Sequence, residues 1–344
     1  MLQFVRRFAA TAGVLACAVV LAEPAAAQGT QPHVTVSGVG YGQYLYQLSN
    51  KPAGAPAPNA FEVTRAYVNV VGKFSNGIST RITSDLYRNA GSLAMRIKYA
   101  YVAWQPKDSQ IGFRFGQTQM AWLDWEEGLW GYRVQGPMAL DRGGYLSSAD
   151  LGLAVDGAWS GQLVNMQAGV YDGTGYHGGI GDGHKAIDAR VSVRLSATDD
   201  NGSRGGLRLT GYGLYAGNDG GGKRYRAIGM LSYKSKTVLL AGEGAITADS
   251  TTGTSTSLVK GRVFSAYGTY AIPQSMAGLI ARIDYVDPNT AAASVNDRYT
   301  RVIGGVSYKI APELMVLGDL EATSYQDPAR PTLTNALFQV QFSF

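Results

Sequence analysis

Cysteine is almost missing: Cys17 is the single one in 344 residues. It sits in an N-terminal stretch that reads as processed, so the rest of the chain has no thiol for a disulfide, a metal or a nucleophile. Histidine is scarce too, with only His33, His177 and His184. A Ser-His hydrolase needs a histidine held by a third group beside a nucleophile. His177 and His184 share the glycine-rich stretch Asp172 to His184 with Asp182, but such a stretch fixes no geometry between them. The simpler role for it is a flexible external cap. No catalytic residue, metal site or cofactor is expected. Long apolar runs are missing after residue 27: none reaches the ~18 residues of a spanning helix. A dominant charge is missing as well, with 30 Lys+Arg against 25 Asp+Glu and no clustered basic stripe. Nucleic acid is therefore not an expected partner. Gly220-Gly221-Gly222-Lys223 lacks the spacing and the following helix of a phosphate-cradling loop.

The first 27 residues have the form of a secretory signal. Arg6 and Arg7 precede an apolar run from Phe8 to Ala22, and Ala25-Ala26-Ala27 supplies small residues ahead of Gln28. Cleavage is expected after Ala27. The run is short for a membrane anchor spanning about 30 Å of hydrocarbon. A faint lipoprotein-like box at Cys17 competes with the better-formed site downstream. Residues 28–344 then form one domain with 28 Lys+Arg against 24 Asp+Glu.

What is present is glycine, tyrosine and alternation. Gly 45 and Tyr 21 are high counts, and both suit an all-β chain with many turns. In Ile78 to Leu86, Ile78, Ile82 and Leu86 share one face, opposed by Ser79, Arg81, Thr83 and Asp85. In Asp188 to Leu195, Ala189, Val191, Val193 and Leu195 oppose Asp188, Arg190, Ser192 and Arg194. Sixteen such segments are expected, near 33–47, 61–73, 78–88, 93–104, 111–117, 150–159, 163–171, 185–195, 206–215, 224–234, 237–246, 260–270, 277–286, 299–309, 313–323 and 333–344.

A soluble sandwich also alternates. The connections argue against one. Ser75-Asn76-Gly77, Ser160-Gly161-Gln162 and Ser235-Lys236 are tight, whereas 48–60, 118–149, 172–184, 247–259 and 287–298 are long. Short turns at one end and long loops at the other describe a transmembrane antiparallel up-and-down β-barrel of about 16 strands in the bacterial outer membrane. Closure removes the edges that lipid would not tolerate. The last segment agrees: Phe338, Val340, Phe342 and Phe344 share a face, and a final aromatic resembles the signal for barrel insertion. Tyr44, Tyr46, Tyr99, Tyr101, Tyr285 and Tyr308 suit the interfacial girdles, and packing against the loops is the alternative for any one of them. An even strand count puts both ends on the periplasmic side. Sixteen strands enclose a lumen wide enough for water.

The longest connection, 118–149, carries Trp122, Trp125, Trp130, Asp124, Glu126, Glu127, Arg133 and Arg142. A loop this long is usually functional, and it is expected to fold inward as a constriction. An ordinary external flap is the alternative. Along the polar faces, Arg65, Arg81, Arg96, Lys98 and Arg114 are expected to line the first part of the wall. Arg190, Arg194, Arg208, Arg226, Arg262, Arg282 and Arg301 continue it. Asp85, Asp156, Asp188, Glu243, Asp284, Asp319 and Glu321 lie on the same faces and pair with many of these cations. The excess of arginine leans the lumen positive, which favours anions.

Several short motifs resemble the phosphate-selective porins of the O/P type. They are Phe61-Glu62-Val63-Thr64-Arg65-Ala66-Tyr67-Val68, Phe115-Gly116-Gln117 before the long loop, and Asp150-Leu151-Gly152-Leu153 after it. Val170-Tyr171-Asp172-Gly173-Thr174-Gly175, Ala281-Arg282-Ile283-Asp284-Tyr285 and the closing Phe344 extend the likeness over most of the chain. The resemblance implies a sixteen-stranded, usually trimeric channel for anions, notably phosphate and polyphosphate. It also implies a lysine cluster at the constriction. There is no lysine between Lys107 and Lys185, and Asp124, Glu126 and Glu127 stand in the loop instead. Fold and pore activity carry over; phosphate selectivity does not.

The expectation is a trimeric passive channel for small hydrophilic solutes, with mild anion preference. Its partners would be outer-membrane lipid, lipopolysaccharide, small anions or other small solutes, and two further copies of itself. A plugged structural or adhesion barrel is the alternative. A barrel enzyme is third.

Overall fold

The computed structural model describes residues 32–51, 54–89, 91–178, 181, 183–217, 222–250, 257–291 and 296–344. The expected signal at 1–27, Asp182, and Gly220 and Gly221 lie outside the described residues. Sixteen strands run in order. The first five are β1 (His33–Gln47), β2 (Asn59–Lys73), β3 (Ile78–Asn89), β4 (Ser92–Trp104) and β5 (Ile111–Gln119). Then come β6 (Ala149–Trp159), β7 (Val164–Tyr171), β8 (Ala186–Ser196), β9 (Gly206–Gly217), β10 (Lys223–Lys234) and β11 (Val238–Ser250). The ring ends with β12 (Leu258–Ala271), β13 (Ala277–Asp287), β14 (Tyr299–Ala311), β15 (Leu314–Tyr325) and β16 (Leu333–Ser343). Each strand pairs antiparallel with its sequence neighbours, and β1 pairs with β16 to close the barrel.

The barrel is inside-out relative to a soluble protein. On β8, Asp188, Arg190 and Ser192 are at most 4% exposed, while Ile187, Val191 and Leu195 are 45–57% exposed. Alternation therefore sends polar side chains to the lumen and apolar ones outward, the arrangement a lipid surround demands. Leu209, Leu231, Leu240, Ile246 and Leu320 belong to the same outer apolar band.

Closure rests on glycine. The Gly38 N–H donates to the Phe344 carbonyl at 2.9 Å, and the Phe344 N–H returns a bond at 3.1 Å. The Phe344 and Phe342 rings lie over Gly38 and Gly40, where an added Cβ would sit 2.4 and 2.3 Å from ring carbons.

Three details depart from expectation. The connections do not alternate uniformly: β3–β4 at the loop end has only residues 90–91, and β8–β9 at the opposite end has 197–205. Several strands run past their apolar stretch, β11 reaching Ser250 and β15 reaching Tyr325 through Ser324, because ladder hydrogen bonds persist where side chains have turned polar. Tyr99 and Tyr101 are not girdle residues. They pair with Thr83 and Arg81, and Tyr99 is buried beside Arg81 and Lys98. The register shift between Thr83 and Ser84 spends Lys98 on a bulge, so Lys98 and Tyr99 are both buried.

Candidate lumen and its lining

The β5–β6 connection spans 120–148, because Thr118, Gln119 and Ala149 join the strands. It is structured. Helix α1 (Leu123–Trp130) has Asp124 and Glu126 in its first turn, where the helix dipole favours acids. It stops at Gly131, whose φ of 71° admits glycine readily and whose N–H donates to the Glu127 carbonyl. A 3-10 turn at Arg133–Gln135 and helix α2 (Ala139–Arg142) follow. Trp122, Leu123, Leu129, Trp130, Met138 and Leu140 are nearly wholly buried and form the apolar centre of the molecule.

This segment touches polar strand faces from β8 round to β16. The Ala121 N–H donates to Asp188 of β8 at 3.1 Å, and Arg190 of β8 donates to the Ala121 carbonyl at 3.0 Å. Trp122 meets Tyr212 of β9, with ring centroids 5.5 Å apart. Arg226 of β10 donates to the Tyr145 carbonyl at 2.9 Å. Trp130 stands edge-on to Tyr267 of β12. Arg282 of β13 donates to the Pro137 carbonyl at 3.1 Å, and the Tyr132 and Ser307 hydroxyls, the latter on β14, are 2.9 Å apart. Gln339 of β16 donates to the Val134 carbonyl at 3.0 Å. Strands β8 and β16 lie eight positions apart in the ring of sixteen.

Arg204, in the β8–β9 connection, grips α1 from below. Its guanidinium donates to the Trp125 and Asp124 carbonyls at 3.0 and 2.8 Å and to the Asp124 carboxylate at 3.1 Å. It lies where a Cβ on Gly128 would fall, 2.4 Å from Cζ. Trp125 is flanked by Arg190, Arg204 and Arg208 at 4.0, 5.1 and 5.9 Å, a cation–π cluster.

The wall cations fall into two groups. Many are paired: Arg65 and Arg96 share Asp85 at 3.5 and 2.9 Å, and Arg114 grips Asp156 through two bonds of 2.7 Å. Arg301 lies 3.2 Å from Glu321, Arg282 2.7 Å from Asp284, and Arg226 2.9 Å from Asp249. Others have no carboxylate partner among the described residues. Arg81 bonds Asn69 and Thr83 and lies 4.6 Å from the Tyr99 ring. Lys98 sits among Tyr67, Tyr99 and Tyr176 at 4.9, 5.4 and 5.9 Å. Arg190 and Arg208 bond carbonyl and side-chain oxygens, and Arg194 donates to the Gly161 carbonyl at 2.8 Å.

In the long connection, Arg133 pairs with Glu127 at 2.7 Å and Asp141 at 3.4 Å. Arg142 reaches Glu321 only at 3.6 Å; burial, against the pull of Glu321, holds it down to about 10. Asp124 is taken by Arg204. Glu126 and Glu243 have no hydrogen-bond partner outside their own pair among the described residues. A cavity of about 300 Å³ opens between this segment and the wall, lined by Tyr41, Arg65, Arg133, Arg142, Glu321 and Asn335. A second, of about 450 Å³, includes Asp141, Tyr145, Asp150, His177 and Arg224.

The β7–β8 connection also folds onto the wall. The Tyr176 hydroxyl accepts from Arg96 at 3.0 Å, and His177 Nδ1 faces Arg96 Nη1. His184 instead lies by Gly217 at the end of β9, so the two histidines are not brought together. Among the described residues no group of three His, Cys, Asp or Glu could hold a metal.

Sequence reasoning missed Arg204 and Tyr176, whereas Tyr67 was readable on the polar face of its strand beside Arg65 and Asn69. Arg204 sits in a Gly-Ser-rich turn with no periodicity to mark it, and Tyr176 in a glycine-rich connection.

Solved structures of low identity share this architecture. The loop L8 deletion mutant of OmpT, an outer membrane protein of Vibrio cholerae, matches with a TM-score of 0.65 at 13% identity, covering 92% of this chain and 100% of that one. The outer membrane channel DcaP of Acinetobacter baumannii matches at 0.60 and 11% identity, covering 91% and 97%. The fold is a porin barrel. Residues 28–126 match the family described as phosphate-selective porin O and P. That stretch takes the porin barrel from before β1 into α1. In vitro folded OmpT from Vibrio cholerae, described as a trimer form, matches at 0.62 with 12% identity, covering 91% and 99%. A search of curated proteins finds no match.

Proposed function

We propose that this chain is an outer-membrane porin, a passive channel for small hydrophilic solutes with a mild preference for anions. The observation that carries the reading is the closed ring of polar inner and apolar outer faces, crossed by one segment. Because the 120–148 segment bonds to β8 and to β16 on opposite sides, it acts as the constriction. Selectivity comes from the cations that no carboxylate neutralises, chiefly Arg81, Lys98, Arg190 and Arg208. Their field is concentrated by low-dielectric walls. Phosphate is not singled out, since acids and not lysines occupy α1. The trimeric form of a structural relative supports a homotrimer here. The long loops then face the cell exterior, with lipid and lipopolysaccharide against the outer apolar band. The protein carries out no reaction.

A second reading, a plugged structural barrel, is favoured by one observation: the tryptophans and methionine at the centre of the lumen are buried as tightly as a core. Liposome swelling separates the two. Vesicles containing the purified protein should swell in small sugars and amino acids at rates that fall with solute size. Vesicles that stay impermeable to all of them would establish the plugged barrel.

A further inference from the structure

The wall facing α1 carries a row of three polar residues in register, Glu243 on β11, Ser265 on β12 and Asp284 on β13. Ser265 and Arg282 both turn side-chain donors towards Asp284. Ser265 Oγ donates to it at 2.7 Å, and Arg282 donates through Nε at 2.8 Å and Nη2 at 2.7 Å. Glu243 is left facing Glu126 of α1. Glu126 is 0% exposed and Glu243 6%. None of their four oxygens has a hydrogen bond to any other group among the described residues.

Two carboxylates cannot both ionise side by side out of water. One proton between them resolves the arrangement, with the protonated carboxyl donating and the ionised one accepting. The other groups at this contact do not replace that proton. Glu127 on α1 is held by Arg133 at 2.7 Å. Asp124 on α1 is held by Arg204. Arg282 on β13 is committed to Asp284. The Tyr267 hydroxyl on β12 is buried and makes no hydrogen bond among the described residues, to either carboxyl included. Burial, reinforced by Glu243, pushes the Glu126 carboxyl well above the usual range.

We propose that Glu126 and Glu243 form a one-proton latch that fastens α1 to the β11–β13 wall, and that losing this proton releases the helix and changes the gating of the lumen. The docked helix binds more protons than the released one. Docking is therefore strongest below the ordinary carboxylate value and weakens as pH rises from there towards the raised one. The gating half rests on the pore reading; the latch does not.

Two readouts on the folded protein test it, each from about pH 5 to about pH 9. Trp122, Trp125 and Trp130 lie on or beside α1 and are at most 3% exposed. Tryptophan emission should shift to the red as pH rises in the wild type and stay constant in Glu126→Gln. The glutamine amide donates to Glu243 at every pH. Glu243→Gln should behave alike, with Glu126 accepting. In planar bilayers, wild-type gating events should rise about tenfold per pH unit through the transition, the steepness of a single proton. Both variants should be flat. An emission shift without conductance at any pH would keep the latch and remove the pore. No shift in the wild type, or the same shift in the variants, would overturn the latch.

Discussion

The Phe342 and Phe344 rings occupy the space over Gly40 and Gly38 that a side chain there would fill. The contact is the barrel's closing seam, so it should be intolerant. Gly40→Ala should lower the unfolding free energy by about 1–3 kcal/mol, the usual range for overpacking, measurable by denaturant titration in micelles. The apolar face of the last strand was legible in the sequence, but the partner glycines were not, since only the β1–β16 register brings them together. At the same scale, a charge matters to permeation according to its partner. Arg81 and Lys98 are held by amides, hydroxyls and rings. Replacing both with Gln should move the reversal potential in a salt gradient towards the cation side. The basic residues themselves were readable from strand alternation. Which of them stay unneutralised was not, because that depends on cross-strand neighbours such as Asp85 and Asp156.

Among the elements, α1 is the one on which the proposed constriction rests. Its anchors are Arg204, Trp130 and the Glu126–Glu243 contact. Arg204→Ala removes three hydrogen bonds to Asp124 and Trp125 and should make single-channel currents noisier without altering the circular dichroism of the strands. The connection's length and tryptophans flagged it from sequence alone. Its two helices and its contacts with opposite walls were not legible, because they depend on where the ring places β8, β12 and β16. The β7–β8 connection gives a pH prediction. His177 must be neutral for Nδ1 to accept from Arg96. Burial first, then Arg96 and Arg65, hold its pKa below 6.5. Docking of this loop is therefore complete above the ordinary value and is lost as pH falls towards the depressed one. An NMR titration should place His177 below 6.5, and Arg96→Gln should raise it.

On the scale of the whole molecule, the organising fact is inversion: carboxylates and guanidiniums inside, leucine and valine outside. Leu209 faces outward beside inward-facing Arg208. Leu209→Arg should cost about 2–4 kcal/mol if it lies at mid-membrane depth, read as a lower unfolding midpoint in lipid vesicles. The sixteen segments, their order and their polar faces were all readable, because a period of two needs no tertiary information. The exceptions were strand ends and the Lys98 bulge, where hydrogen bonding and not side-chain pattern decides.

The most direct test of an anion-preferring channel is the reversal potential of single channels of the purified protein under a KCl gradient. Steady conductance with the reversal displaced towards the chloride potential is the expected result. A displacement towards potassium would place the acids of α1 in control, and the absence of any conductance from folded, inserted protein would contradict the channel itself.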